Sequence, residues 1–500
     1  MTRPSLATAR RSAFVLTHRL LLATALWSVC PTSGPATADD GPVLTLEAPG
    51  SVWGLRITKN DEGGRDLWIV AGRDVHQWRG VKGKPFPKVA TAVFHVPDGA
   101  TYVAPGREVG TSTERTQTLL ALGRTEALRI VAGRGVAVEE GLEVDMPWSD
   151  PQRAVLGDFV DGKSLFLPTS AGLRFVPDWI GAPSRSVLLP LRPTRNVTAS
   201  GPFVEDGATV RVSWPKPMVV SSWPKVGDPA AVFWIGGDGI HAYAPGKEGA
   251  YVDRVWSTAF VPKDGERRDS LVDFDADGTP DWAHAATTNE SGSYAFFKTP
   301  TEGADHPSPT AERPSPRGSV RLTGFQLPAE FPDLDGDGRK DLVVTTIDID
   351  GTNVMRAVLQ HRVTAKTHAF LNRSAKGAEF FAPAFDAIQE SDIGVQILFT
   401  FSGSIEVKRS FTILTTADLD GDGRKDLVIR TGPETLSVYR GTAEGVWATK
   451  ATTIAIPAMG RSPDIEGYAS DLDGDGRDDV VLLYRAPPGG ADRTVVVMSR

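Results

Sequence analysis

Four times in its second half the chain runs through one acidic loop of nine residues, and no other feature narrows its possible folds as much. The copies are Asp273-Phe-Asp-Ala-Asp-Gly-Thr-Pro-Asp281, Asp333-Leu-Asp-Gly-Asp-Gly-Arg-Lys-Asp341, Asp418-Leu-Asp-Gly-Asp-Gly-Arg-Lys-Asp426 and Asp471-Leu-Asp-Gly-Asp-Gly-Arg-Asp-Asp479. Each places carboxylates at positions 1, 3, 5 and 9 and a glycine at position 6. Four carboxylates in nine residues repel one another unless a cation sits among them. A hard cation that takes six to eight oxygens suits the spacing, which makes Ca²⁺ the expected ion, with about four sites in the chain. The expected ligands are the side chains of Asp273, Asp275, Asp277 and Asp281, of Asp333, Asp335, Asp337 and Asp341, of Asp418, Asp420, Asp422 and Asp426, and of Asp471, Asp473, Asp475 and Asp479. The main-chain carbonyls at position 7, from Thr279, Arg339, Arg424 and Arg477, complete the sets. Gly278, Gly338, Gly423 and Gly476 allow the sharp turn, since a residue without Cβ takes positive φ at little cost.

The flanks say which kind of calcium loop this is. An EF-hand needs a bidentate glutamate at position 12 and a helix on either side. Position 12 here is His284, Val344, Ile429 or Leu482, so that fold is excluded. Each loop runs on into a short apolar, β-branched stretch, such as Asp341-Leu-Val-Val-Thr-Thr or Asp479-Val-Val-Leu-Leu-Tyr, which reads as a buried strand. Position 2 is always apolar (Phe274, Leu334, Leu419, Leu472), a plug expected to turn into the core beneath the ion. The unit is strand, loop, strand.

The pattern Asp-x-Asp-Gly-Asp-Gly-x-x-Asp-Leu-Val-Val resembles the FG-GAP or VCBS-type repeat of integrin-like β-propellers, over roughly residues 265 to 500. The resemblance implies an all-β chain built of four-stranded antiparallel blades around an axis, with calcium held between the first two strands of a blade. Loop starts lie 60, 85 and 53 residues apart, about one blade each, and the long interval is expected to hold an insertion around 370–405. Weaker copies extend the repeat toward the N-terminus. Thr58-Lys-Asn-Asp-Glu-Gly-Gly-Arg-Asp66 keeps the phrasing with poorer ligands, so its ion is expected to be weak or lost, and further echoes lie near 122–132, 157–166 and 228–240. Partner strands are legible at Gly239–Tyr243, Thr435–Tyr439 and Arg493–Met498, and 301–318 reads as an exposed loop within a blade. Only twenty-one residues come after Asp479, so the last blade is expected to borrow Pro42–Glu47 and close a ring of seven or eight blades. Residues 39–500 then form one propeller domain.

Residues 1–38 read as a secretory leader. Arg3, Arg10, Arg11 and Arg19 precede the apolar stretch Leu20–Val29, and Ala36-Thr-Ala38 offers a small-residue cleavage site. The apolar stretch is too short to span a bilayer. Cys30 is the single cysteine, so the mature chain has no disulfide and calcium is its available staple. The expectation is a secreted, periplasmic or cell-surface protein with no transmembrane segment. The formal charge of −8 becomes −12 without the leader arginines, and the loop aspartates account for most of it. A nucleic-acid partner would want a basic face, and none is legible.

Catalytic signatures are scarce. The mature histidines (His76, His95, His241, His284, His306, His361, His368) form no zinc spacing or triad, and there is no nucleophile elbow, phosphate loop or dinucleotide fingerprint. His284 is expected to be a strand residue. Tryptophans such as Trp148, Trp214, Trp223 and Trp234 read first as blade packing and second as sugar-stacking platforms. Asn196, Asn289 and Asn372 head formal glycosylation sequons. The expected function is a monomeric binding or adhesion module for a protein or glycan ligand, with calcium in a structural role. The alternative is a polysaccharide lyase or hydrolase on a similar calcium-stabilised propeller.

Overall fold

The computed structural model describes residues 43–499 apart from intervening segments, the longest being 144–164 and 300–315; between 102 and 257 it describes mainly strands. The expected leader, Cys30, the loop part of the 157–166 echo, the 301–315 stretch and Asn289 lie outside the described residues.

The architecture is all-β and antiparallel. Among the described residues, seven sheets have four or five strands. The chain divides into two compact units. The first comprises Glu47–Leu188 with Leu472–Gly474. It holds the sheet Val52–Lys59, Gly63–Ala71, Asp74–Val81 and Ala92–His95, whose two middle strands bury Leu67, Trp68, Ile69 and Trp78. A second sheet, Tyr102–Thr111, Glu114–Leu122, Glu126–Ala132 and Ala137–Glu143, comes next in sequence. The echo at 122–132 is thus the second hairpin of that sheet.

The second unit comprises the remaining residues from Asp39 and carries the four acidic loops, apart from the three residues grouped with the first unit. Each loop joins the first and second strands of a sheet, as the strand–loop–strand reading requires. The strands entering the first, third and fourth loops are Glu266–Val272, Ile413–Ala417 and Asp464–Ser470; the strands leaving the four loops are Asp281–Thr287, Leu342–Ile347, Asp426–Gly432 and Asp479–Arg485. The leaving strands are buried on both faces, which is why they read as unbroken apolar runs instead of alternating ones. Val480, Val481, Leu482 and Leu483 are all within 1 % of full burial, and each such side chain contributes about 1.5–3 kcal/mol. The plugs do what position 2 implies: Phe274, Leu334, Leu419 and Leu472 are all buried.

The expected borrowed strand is present. Val43–Leu46 pairs antiparallel with Arg493–Val497, Val43 opposite Val497 and Leu46 opposite Thr494, giving the last sheet its fourth strand. The sheet after the second loop departs from expectation. Its extra residues were expected around 370–405, but the hairpin between Leu342–Ile347 and Arg362–Phe370 carries a helix, Gly351–Gln360. Asp350 caps that helix by accepting from the Asn353 amide at 2.7 Å. The rest of the excess becomes a thirteen-residue strand, Ala387–Phe399, and a fifth strand, Ile405–Arg409, paired with its far end. The helix turns its apolar residues Val354, Met355, Val358 and Leu359 outward and buries Asn353 and Ala357, the reverse of the usual arrangement, and sequence reading missed it.

Candidate metal centre

The four loops share one scaffold of hydrogen bonds, and each carboxylate has a separate task within it. The position 1 carboxylate accepts from the position 6 amide: Asp273 from Gly278 at 2.9 Å, Asp333 from Gly338 at 3.0 Å, Asp418 from Gly423 at 3.0 Å and Asp471 from Gly476 at 3.1 Å. The position 5 carboxylate folds back on the position 7 amide, at 2.8 Å for Asp277–Thr279, Asp422–Arg424 and Asp475–Arg477 and 2.9 Å for Asp337–Arg339. The position 9 carboxylate is buried and straps the loop to the end of the third strand. It accepts from the amides of Thr299, Asn372, Gly441 and Ser499 in turn, at 2.7–3.0 Å. In the first three loops it also accepts from the position 2 amide above the plug.

These tasks leave oxygens pointing inward. Carboxylate oxygens of Asp273, Asp275 and Asp281 lie within 4.8 Å of one another, as do those of Asp333, Asp335 and Asp341 and those of Asp471, Asp473 and Asp479. In the third loop the grouping is Asp418, Asp420 and Asp422. The structure thus brings positions 1 and 3 together in every copy and adds position 9 in three of them. Position 5 joins only in the third loop, where Arg440 engages the position 9 carboxylate, Asp426.

The electrostatics arise from burying so many acids together. Burial first, with the Asp275 charge adding to it, pushes Asp281 up to about 8, against the pull of the Thr299 and Phe274 amides and Lys298. Burial likewise pushes Asp341 up to about 7. Burial raises Asp273, Asp335 and Asp426 too, and neighbouring carboxylates add to each. Asp337 goes the other way: burial pushes it up, but hydrogen bonds from Arg339 outweigh that and hold it low. Asp275 Oδ1 and Asp333 Oδ1 are buried with no hydrogen-bond partner. A buried carboxylate oxygen without a donor is costly unless a cation meets it. An all-oxygen donor set with buried carboxylate oxygens that no donor meets therefore fits a hard divalent cation.

Several residues escaped sequence reading. Position 4 is a second left-handed glycine, Gly336, Gly421 and Gly474, with φ of 75–76°. A Cβ on Gly336 would lie 2.7 Å from the Gly423 carbonyl, and one on Gly421 3.0 Å from the Gly476 carbonyl, so consecutive loops touch there. The first loop has Ala276 at this position, also at positive φ. Consecutive loops are also clasped through position 8: the Lys340 amide donates to the Phe274 carbonyl at 3.3 Å and the Lys425 amide to the Leu334 carbonyl at 2.8 Å. Asn372, one of the formal sequons, is buried and donates its side-chain amide to the Phe274 and Lys340 carbonyls. It is a structural tie between two loops and offers no room for a glycan. Basic side chains reach into two loops. Lys298 Nζ donates to Asp275 and, at 2.8 Å, to Asp277; Arg440 Nη1 donates to Asp426 at 2.8 Å and lies 3.7 Å from Asp420. A cation placed at the end of the third strand carries no local sequence signal, which is why both were missed.

His284 lies on Asp281–Thr287, buried, with Nδ1 2.6 Å from Asp269, which also accepts from Trp282 Nε1 at 3.1 Å. Away from the loops, the second unit has a cavity of about 300 Å³ lined by Leu327, Glu330, Phe411, Thr415, Ile465 and Glu466 among others.

Residues 418–482, spanning the third loop to the strand after the fourth, match the family of FG-GAP-like repeats. The chain carries an FG-GAP-like repeat. That repeat contains both loops whole, together with the clasp in which the Asp478 amide donates to the Asp418 carbonyl at 2.6 Å. No curated protein matches the chain. Solved structures it resembles include BBS1N in complex with ARL6DN, at 9% identity over 92% of this chain and 95% of that one, with a TM-score of 0.34. Others are Hsv2 of Kluyveromyces lactis (10%, 73% and 86%, TM-score 0.31) and an Agrocybe aegerita lectin that recognises non-reducing terminal N-acetylglucosamine (12%, 67% and 88%, TM-score 0.26). Superpositions this loose carry no argument about ligand. Among the described residues no helix is long and apolar enough to cross a membrane.

Proposed function

We propose that the protein is an exported binding module: a propeller of seven or eight blades, closed by the Val43–Leu46 strand, whose acidic loops take up structural Ca²⁺. The observation that carries this reading is the repeated inward convergence of positions 1 and 3 beside a buried position 9, with Asp275 Oδ1 and Asp333 Oδ1 unpartnered. In this reading the carboxylates of positions 1, 3, 5 and 9 and the carbonyls of Thr279, Arg339, Arg424 and Arg477 hold the ion. Its chemistry is electrostatic: it neutralises acids that otherwise repel and pins the first strand of a sheet to the second. Exported loops of this kind bind in the range of roughly 10⁻⁴ to 10⁻³ M. At ambient calcium of one to ten times Kd, each site adds about 0.4–1.4 kcal/mol of stability. The ligand, a protein or a glycan, meets the loop faces or the cavity beside Phe411 and Glu466, since loops on a rigid scaffold are where such proteins bind.

Two measurements test the reading. Calorimetry of the chelator-stripped chain should show saturable uptake of Ca²⁺ and a rise in Tm with it. Binding of the loaded chain to glycan and cell-surface protein arrays should be lost in chelator. Absence of calcium uptake would sink the metal reading, and silence on both arrays the binding reading.

A further inference from the structure

The four loops are alike in sequence and unlike in how their charge is met. The amide that straps position 9 marks one register at the end of each third strand: Thr299, Asn372, Gly441 and Ser499. The residue just before it is Lys298, Leu371, Arg440 and Met498 in turn. In the first loop that residue is an ammonium lodged between positions 3 and 5, donating to Asp275 and Asp277. In the second it is Leu371, packed on the core of its sheet; there Arg339 meets Asp337 alone, no basic side chain reaches Asp335 from that register, and Asp333 Oδ1 is buried and unpartnered, as Asp275 Oδ1 is in the first. The first loop departs at position 4 as well, with Ala276 held at a φ of 55° where the others have glycine.

We propose that Lys298 is a tethered counter-ion that stands in for the divalent ion in the first loop, so that this loop folds without metal and binds it more weakly than the second. The inference rests on the reading of the loops as calcium sites. An ammonium offers three donors and one positive charge on a flexible stem. Fixed to the neighbouring strand, it meets Asp275 and Asp277 at an effective concentration that a site of millimolar affinity must overcome. For Ca²⁺ to use those two carboxylates, Lys298 has to leave. Arg440 occupies the same register in the third loop but engages Asp426 and only distantly Asp420, so it blocks less.

The test is equilibrium dialysis of the full chain, stripped by chelator, against ⁴⁵Ca²⁺. K298M is expected to take up one more ion per chain at about 1 mM calcium than the unaltered protein, or to tighten its weakest site at least tenfold. D275N in the K298M background is expected to abolish the gain. Hydrogen exchange of the unaltered protein supplies a readout that needs no variant. On chelation, amides of 333–341 should lose protection while those of 273–281 keep it. Unchanged uptake by K298M, with calcium binding otherwise intact, overturns the tether alone, as does equal loss of protection in the two loops. No uptake by the unaltered protein removes the calcium reading and this inference with it.

Discussion

The second loop and the degenerate loop at Thr58–Asp66 are the same turn held in two ways. Both end in a buried aspartate at position 9, Asp341 and Asp66, each about 1 % exposed. Both have a left-handed glycine at position 6, Gly338 and Gly63. In the second loop the inward oxygens belong to carboxylates, and one of them has no donor. In the degenerate loop, protein donors surround the acid. Asn60 Nδ2 donates to Asp66 at 2.8 Å and also to the Gly80 carbonyl, while Asn60 Oδ1 accepts from the Glu62 and Gly64 amides. Gln77 and Arg79 take the other oxygen of Asp66, at 2.7 and 3.3 Å. Within the first unit the position 8 amide, that of Arg65, still donates to a position 2 carbonyl, that of Leu472, at 2.9 Å. The difference teaches that the same buried acid at position 9 can be met by fixed side chains, as at Asp66; in the calcium reading proposed above, an ion takes that part at Asp341, and only where it is supplied.

The comparison breaks most sharply at Asp66. D66A leaves Asn60 and Gln77 without the acid they donate to, while Arg79 keeps Glu62 at 3.5 Å; leaving buried donors unmet in this way costs about 3 kcal/mol. Thermal unfolding should show the same fall in Tm with calcium and with chelator, because no ion takes part. A loss confined to calcium would mean that the degenerate loop still binds metal. A smaller effect is expected from G336A, which probes what the degenerate loop has given up, since its position 4 is Asp61 at ordinary φ. Gly336 has a φ of 76°, and its Cβ would meet the Gly423 carbonyl at 2.7 Å. The cost should be about 2 kcal/mol, more than the roughly 1 kcal/mol of G338A, where φ alone is at stake and nothing lies within 4 Å. Equal costs at the two sites would mean that consecutive loops do not press on each other.

Much of this was readable beforehand because its causes are local. A loop with Asp at positions 1, 3 and 9 and an apolar plug at position 2 has to sit on a strand edge, and the runs after Asp281, Asp341, Asp426 and Asp479 could only be buried strands. The strand expected at Pro42–Glu47 is found as Val43–Leu46, paired with Arg493–Val497. What could not be read is what distant residues bring to the loop. Lys298 lies 21 residues from Asp277 in sequence, and nothing in its neighbours says that it turns back. Asn372 looked like a sequon because the tripeptide is local, whereas its burial against Phe274, 98 residues away, is not. The position 4 glycines were visible but unexplained, since the carbonyl they avoid belongs to the next loop.

A milder perturbation sharpens the same comparison. D335A in the second loop removes one inward ligand that makes no strap, so the scaffold bonds of Asp333 and Asp341 survive. The loss should equal that site's share of calcium stabilisation, about 0.4–1.4 kcal/mol, seen as a lower Tm in calcium and almost none in chelator. N60A in the degenerate loop should cost a similar amount or more in both conditions. If D335A lowered Tm equally with and without calcium, Asp335 would be a packing residue.

The finest probe of the comparison is the pH dependence of calcium uptake itself. Without an ion, burial and neighbouring acids raise Asp281 to about 8 and Asp341 to about 7, so near neutrality these carboxyls are partly protonated. A divalent ion binds the deprotonated form, so uptake must release those protons. Affinity therefore rises as pH climbs from 6 to 8, and each group that must ionise can contribute up to about tenfold per unit below its own value. Calorimetry at pH 7 in two buffers of different ionisation enthalpy should give different apparent heats, and D341N should shrink the difference. In chelator the same protons act with the opposite sign: the folded chain holds protons that the unfolded chain has already lost, so stability without calcium should fall as pH rises from 6 to 8. Identical heats in both buffers would mean that Asp281 and Asp341 are already ionised before the ion arrives, with protein donors meeting them as they meet Asp66.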